Sequence, residues 1–143
     1  AALYDLLAHA LGRLAAGDAP ALLARFFEVR LLGLVGYRPE LQRCVACGVT
    51  HEPAAVFLSA NEGGMRCPRC GQAAGGALEV SLGAFKVLRY LQSQEYAAVR
   101  ALQLRPETAR EVERVLRRYL TFVLERNLKS LSFLSLVQAG QSP

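Results

Sequence analysis

Four cysteines carry the clearest chemistry in the chain. Cys44 and Cys47 stand in "CVACG", Cys67 and Cys70 in "CPRCG", with nineteen residues between the pairs. Two residues between thiolates let both sulfurs of a pair reach one ion from a tight turn, and two such pairs complete a sulfur tetrahedron of the kind that zinc takes. With all four positions filled by protein, none stays open for water or substrate, so a single structural zinc ion is expected. Gly48 and Gly71 follow the pairs, where such turns often need a positive φ. Paired disulfides and a thioredoxin-type redox motif compete with this reading. The missing secretion signal speaks against the first, and the missing βαβ pattern against the second. Four thiolates at −4 and one ion at +2 sum to −2, which takes the formal net charge from +5 to +3. His51 is near enough in sequence to substitute as a ligand, but four cysteines suffice and an exposed loop position is expected for it.

Arginine is the second candidate chemistry. Of the 17 basic residues 15 are Arg, and Ala97 to Pro143 holds seven Arg, one Lys and four Glu, so +4 of the net charge sits in the last third. That placement suits an acidic partner, nucleic acid or an acidic peptide, although Ala/Leu/Arg-rich usage is also what a high-GC genome yields. Arg110, Arg114 and Arg118 recur at intervals of four with Arg117 alongside, so a helix would align them as a track for phosphates, continued by Arg126 and Lys129. Glu107, Glu111 and Glu113 stand at ion-pair spacing from the same arginines, and a solvated face is the plainer reading. Arg43, Arg66 and Arg69 flank the cysteines, where they either meet phosphate or offset the charge of the metal site. No aromatic stacking platform is evident, because the Tyr and Phe residues fall mostly on apolar helix faces.

Enzymatic chemistry finds little support. There is no GxxxxGK phosphate loop and no dinucleotide-binding glycine fingerprint, and the two histidines, His9 and His51, stand beside no recognisable nucleophile. No catalytic residues and no small-molecule substrate are expected. An uninterrupted apolar run long enough for a membrane span is missing, as is a basic region ahead of an apolar one, so a soluble cytosolic protein is expected. The chain does not begin with Met, and a piece of something longer is the expectation.

The elements that must position these residues are mainly helical. Leu3, Leu6, Leu7, Ala10, Leu11 and Leu14 recur at helical spacing, with Asp5, His9 and Arg13 four apart on the opposite face, so an amphipathic helix runs from about residue 2 to about 16. Gly17 ends it, Asp18 can cap the next, and Pro20 falls in a first turn. The second helix reaches about Val35, nearly apolar all round and therefore central. Ala54–Ser59 reads as a strand, Asn61–Gly64 as a turn and Met65–Cys67 as a short return, a hairpin joining the two cysteine pairs. Ser81 caps a helix over about Leu82–Gln92. A long helix starts near Glu107 and buries Val112, Val115, Leu116, Tyr119, Phe122, Val123 and Leu128, extending or re-forming through Leu131 and Leu134 before the tail frays. The fold expected is a helical bundle, residues 1–43 and 77–143, with an inserted four-cysteine zinc-ribbon-like module at 44–76.

Once these features stand in order, a resemblance emerges. "FFEVRLLGLVGYRPELQRCVACG", Phe26 to Gly48, resembles the C-terminal helical domain of the RecO family of bacterial recombination mediators. "ALGRLAAGDAPALLARFFE" before it, "LEVSLGAFKVLRYL" after the second cysteine pair, and "ERNLKSLSFL" at Glu125 to Leu134 are similar to the same family in the same order. The family also has an N-terminal OB-fold domain, and no five-stranded, turn-rich segment precedes Ala1. The resemblance implies homologous recombination and DNA repair: a cytoplasmic, nucleoid-associated mediator that binds single- and double-stranded DNA, anneals strands, and with RecR helps RecA displace single-strand-binding protein. It further implies that the helical domain receives the acidic, hydrophobic C-terminal tail of single-strand-binding protein. Arg25 and Arg30, beside Phe26 and Phe27 on the second helix, match such a pocket, and an Arg25–Glu28 pair on a packed helix is the alternative. A different class of reading is a docking domain stabilised by zinc, with DNA contact confined to the OB-fold domain.

Overall fold

The computed structural model describes residues 1–140, apart from the side chains of Phe133, Ser135 and Ala139. Helices α1 (Ala2–Ala15) and α2 (Pro20–Leu34) lead into strands β1 (Val56–Ser59) and β2 (Gly64–Arg66), helix α3 (Pro68–Ala73) and strand β3 (Leu78–Val80). Helices α4 (Leu82–Ser93), α5 (Tyr96–Arg100) and α6 (Pro106–Gly140) complete the chain. The tail was expected to fray after Leu134, but α6 continues to Gly140; residues 141–143 lie outside the described residues.

The bundle and the cysteine-bearing segment share one core. Phe26, Val29 and Leu32 from α2 meet Phe85, Leu88 and Leu91 from α4 and Val112, Val115, Leu116, Tyr119 and Val123 from α6. Leu58 and Met65, from the hairpin between the cysteine pairs, lie in that same core. The sheet is antiparallel in the order β2-β1-β3, with Leu58 opposite Met65 and Val56 opposite Val80. The expected hairpin therefore forms, turned by a 3-10 turn at Ala60–Glu62 and by Gly63 at φ +79°. Ser81 caps α4 as expected, its hydroxyl accepting from the Ala84 N–H. Neither α3, α5 nor β3 was expected, and each is too short to show a hydrophobic period of its own.

Three expectations need correction. The amphipathic α1 fully buries no residue: Leu3, Leu7, Leu11 and Leu14 of its apolar row are about half exposed, and Leu6 and Ala10 are half-buried. The polar row also reaches the body: the His9 ring lies edge-on to Tyr96 at 5.1 Å and the half-buried Arg13 donates from Nε to Asp18 at 2.9 Å, although Asp5 and His9 stay exposed. Asp18 is the reason. It does not cap α2, whose N-cap is Ala19; buried at 8% exposure, it also accepts from the Tyr96 hydroxyl at 2.6 Å and pairs with Arg100. A carboxylate so placed needs donors, and α1 and α5 supply them. Secondly, α2 is central but fully buries one face only, at Leu23, Phe26, Val29 and Leu32, with Leu34 and Val35 half exposed. Thirdly, Leu128 is 62% exposed, because α6 outruns the core after Val123, and Leu131 and Leu134 are exposed beyond it. Phe122 is half-buried at the edge of the same helix.

Candidate metal centre and basic surfaces

The fold brings the four cysteines together. Their Sγ atoms all lie within 4.8 Å of one another, and Cys47 Sγ is 3.9 Å from Cys67 Sγ. Four sulfurs about 2.3 Å from one ion stand roughly 3.8 Å apart at the edges of a tetrahedron, so the cluster has the right size for a metal site. The first pair sits in a knuckle closed by the Gly48 N–H donating to the Cys44 carbonyl at 2.9 Å, with Gly48 at φ +79° as expected. Val45 N–H donates to the Met65 carbonyl at 3.1 Å and docks this knuckle on β2. The second pair is built differently. Cys67 is the N-cap of α3, Pro68 fills its first turn, and Cys70 follows one turn in. Gly71 does not take a positive φ; it is helical and buried, and a Cβ there would enter the Phe57 ring of β1.

Electrostatics favour a cation at the cluster. Burial opposes a thiolate at Cys44, but N–H groups of Cys67 at 3.3 Å, Ala46 at 3.4 Å and Cys47 at 3.5 Å point at its sulfur and bring the thiol down to about 6. Cys70 is pushed up to about 12, first by its hydrogen bond with Cys67 and then by burial. Four thiols sharing one site cannot all ionise without a compensating charge, which is what a divalent ion supplies.

His51 is not the exposed loop residue expected, nor is it among the clustered sulfur ligands. It is buried at 7% exposure, edge-on to Phe85 at 5.4 Å, and Nε2–H donates to the Met65 carbonyl at 3.1 Å. A carbonyl only accepts, so the neutral ring must carry its proton on Nε2, and Nδ1 has no partner among the described residues. Burial holds its pKa below the ordinary histidine value. Of the flanking arginines, Arg66 is taken by Glu62 and by the Cys70 carbonyl, whereas Arg43 and Arg69 are exposed.

The residues expected to form one peptide pocket on α2 separate. Arg25 forks onto Glu28 through two 2.8 Å bonds, with Glu113 of α6 at 3.6 Å, so the expected alternative pair does form. Arg25 borders a cavity of about 270 Å³ floored by Leu22, Leu91, Leu102 and Leu104, with Arg110 on the rim. Arg30 and Phe26 line a different cavity of about 630 Å³, between α1 and the α2–α5 side, where the Arg30 guanidinium lies 5.0 Å above the Phe26 ring and donates to the Gln94 carbonyl. Phe27 is half-buried and lines neither. Leu102 and Leu104 were not singled out; their apolar alternation just ahead of Pro106 was the available signal. The arginine stripe divides as well. Arg110 faces the smaller cavity, while Arg114, Arg117 and Arg118 border a third recess of about 640 Å³ between α6 and the sheet. Arg126 and Lys129 are exposed farther along α6, outside that recess.

A helical body with one four-cysteine cluster and this order of elements can be compared with known proteins. The family described as "Recombination protein O C terminal" matches residues 1–132. The chain belongs to the RecO family. Its relatives include the DNA repair protein RecO of Roseiflexus sp. (strain RS-1), 44% identical over 131 residues that cover 92% of this chain and 46% of that protein. The RecO protein of Pelotomaculum thermopropionicum is 38% identical over 142 residues, covering 99% of this chain and 54% of the relative. That of Dehalococcoides mccartyi (strain BAV1) is 35% identical over 133 residues, covering 93% and 52%. The RecO-family chain thus spans about half the length of the curated relatives it matches. These relatives carry the name DNA repair protein RecO. No helix among the described residues is long and apolar enough to cross a membrane.

Proposed function

We propose that this chain is the partner- and DNA-binding portion of a recombination mediator. It acts without bond-making chemistry, in the bacterial cytoplasm at the nucleoid. In this reading it binds single- and double-stranded DNA through the basic face of α6, helps anneal strands, and with RecR helps RecA onto DNA covered by single-strand-binding protein. One zinc ion held by Cys44, Cys47, Cys67 and Cys70 stabilises the segment 44–76 as an insert in the helical body; it takes no part in a reaction.

The observation that best supports a docking role is the cavity bordered by Arg25 and Arg110. An acidic, hydrophobic peptide tail needs an apolar recess for its side chains and cations for its carboxylates, and Leu22, Leu91, Leu102 and Leu104 with the two arginines offer both. Arg25 is half committed to Glu28 and Glu113, which leaves Arg110 as the freer cation. The test is fluorescence anisotropy of a labelled C-terminal tail peptide of single-strand-binding protein, titrated with the zinc-loaded chain. Saturable binding that weakens in Arg110→Glu and persists in Arg30→Glu supports the assignment. Equal binding by both variants would move the peptide elsewhere.

A further inference from the structure

Of the three recesses, the one beneath Arg114, Arg117 and Arg118 has no role in the peptide-docking reading. One wall is α6 and the other is the β3 edge of the sheet with the turns at Ala60, Asn61 and Gly76, where the Arg118 guanidinium donates to the Gly76 carbonyl at 3.2 Å. Arg114, Arg118 and Phe122 follow at intervals of four, so one helix face presents two cations and then an aromatic ring over about 12 Å. Arg117 adds a third cation. It bonds Glu113 at 2.7 Å, whereas Arg114 has no acidic partner among the described residues. Glu125 closes the far end as the one acidic residue of the lining. Phe122, half-buried, and Leu78 form the apolar part of the floor.

We infer that this groove is a seat for single-stranded DNA: its phosphates run along Arg114, Arg117 and Arg118, and one unstacked base lies against Phe122 and Leu78. The inference rests on the DNA-binding reading of α6 above and sharpens it to one site and one form of DNA. Three features favour it over a simple solvated face. The arginines border a recess of about 640 Å³ instead of a convex helix surface, and that volume lies in the range of ordinary ligand sites, about 300–1,000 Å³. Two of the three, Arg114 and Arg118, have no acidic partner among the described residues. The lining includes an aromatic ring, Phe122, of the kind on which any base of a single strand can stack, whereas a duplex keeps its base faces inside its own stack.

The chain contains no Trp, so Phe122→Trp creates a single fluorescent reporter at the proposed base seat. Titration of the zinc-loaded variant with an oligothymidine of about 15 nucleotides should quench that fluorescence saturably, and a duplex of equal length should quench it far less. Three phosphates on three arginines predict a slope of log affinity against log salt of about −2, reduced by about 1.4 in Arg114→Gln/Arg118→Gln. Phe122→Ala should weaken single-strand binding about tenfold, and Phe122→Tyr should restore it, with circular dichroism confirming that both variants are folded. Equal quenching by duplex refutes the single-strand seat. Quenching by an acidic peptide but not by oligothymidine makes the groove a peptide site and overturns the inference. If DNA binds by anisotropy while the tryptophan signal stays unchanged, the groove is not the seat although α6 still binds DNA. If no form of DNA binds at all, the DNA-binding reading falls together with this one.

Discussion

Gly71→Ala tests whether the second cysteine pair is held by packing as well as by metal. Gly71 is buried in α3, immediately after Cys70, and a Cβ there would run into the ring and Cβ of Phe57 on β1. Overpacking of this kind costs about 1–3 kcal/mol, and the better helix propensity of Ala returns at most about 1 kcal/mol. The net expectation is a destabilisation of about 1–2 kcal/mol, roughly 4–7 °C in Tm for a chain of this size. Easier loss of the metal to a chelator should accompany it, since α3 cannot shift without moving Cys70. The control is Gly75→Ala, where a Cβ would meet nothing within 4 Å and φ is not positive; no loss is expected there. Thermal melts and competition with a chromogenic chelator read both quantities. Phe57→Leu in the Gly71→Ala background should recover part of the loss, giving a favourable coupling in a double-mutant cycle. A Gly71→Ala protein as stable and as tightly metallated as its parent, or a cycle with zero coupling, would refute the close packing of α3 on β1.

Gly12→Ala and Gly33→Ala place a methyl in open space within α1 and α2, and each should stabilise the chain by about 0.5–1 kcal/mol in urea denaturation. Acid should destabilise the chain in two stages. His51 is held neutral by burial, so its contribution is complete above the unfolded value of 6.5 and fades as pH falls through its lower folded value. Asp18, held down first by the Tyr96 hydroxyl and then by Arg13, contributes fully above its unfolded 3.8 and loses that contribution at still lower pH. Denaturation midpoints measured against pH should show Asp18→Asn flattening the lower limb alone and His51→Phe flattening the upper limb alone.

Local chemistry was legible in the sequence, and facing was not. The doubled C-x2-C spacing names its own partners, because two such pairs in one short segment have few other uses. The caps and turns at Ser81, Pro20, Gly17 and Gly63 were readable for the same reason, each being a local backbone requirement. The orientation of α1 could not be read, since periodicity shows that a helix has two faces without showing which one meets the body. Asp18 decides the matter through Tyr96, a partner 78 residues away. The separation of Arg25 from Arg30 has a like origin. Five residues along a helix turn by roughly 500°, so neighbours in sequence here border cavities on different sides. Gly71 was assigned the role of Gly48 by analogy of motif, although its need for a missing side chain comes from β1, outside the motif.

The metal's effect should reach the whole body. Leu58 and Met65, carried by the hairpin between the cysteine pairs, are buried in the same core as Val115, Leu116 and Tyr119 of α6, and the Met65 carbonyl accepts from both His51 and Val45. If loss of metal let the hairpin unfold, withdrawing two such side chains would remove about 2–5 kcal/mol each from the helices that pack on them. That sum of about 4–10 kcal/mol is comparable with the whole stability of a domain, about 5–15 kcal/mol. The helical body should therefore not survive the hairpin as an independent unit. Addition of an exhaustive chelator should lower the melting temperature of the helical signal at 222 nm in a single cooperative transition, with thiol reactivity rising in step. A chelated chain that keeps its full helical melt while the cysteines react freely would show that the segment 44–76 is a detachable module, and that the shared core does not bind it to the bundle.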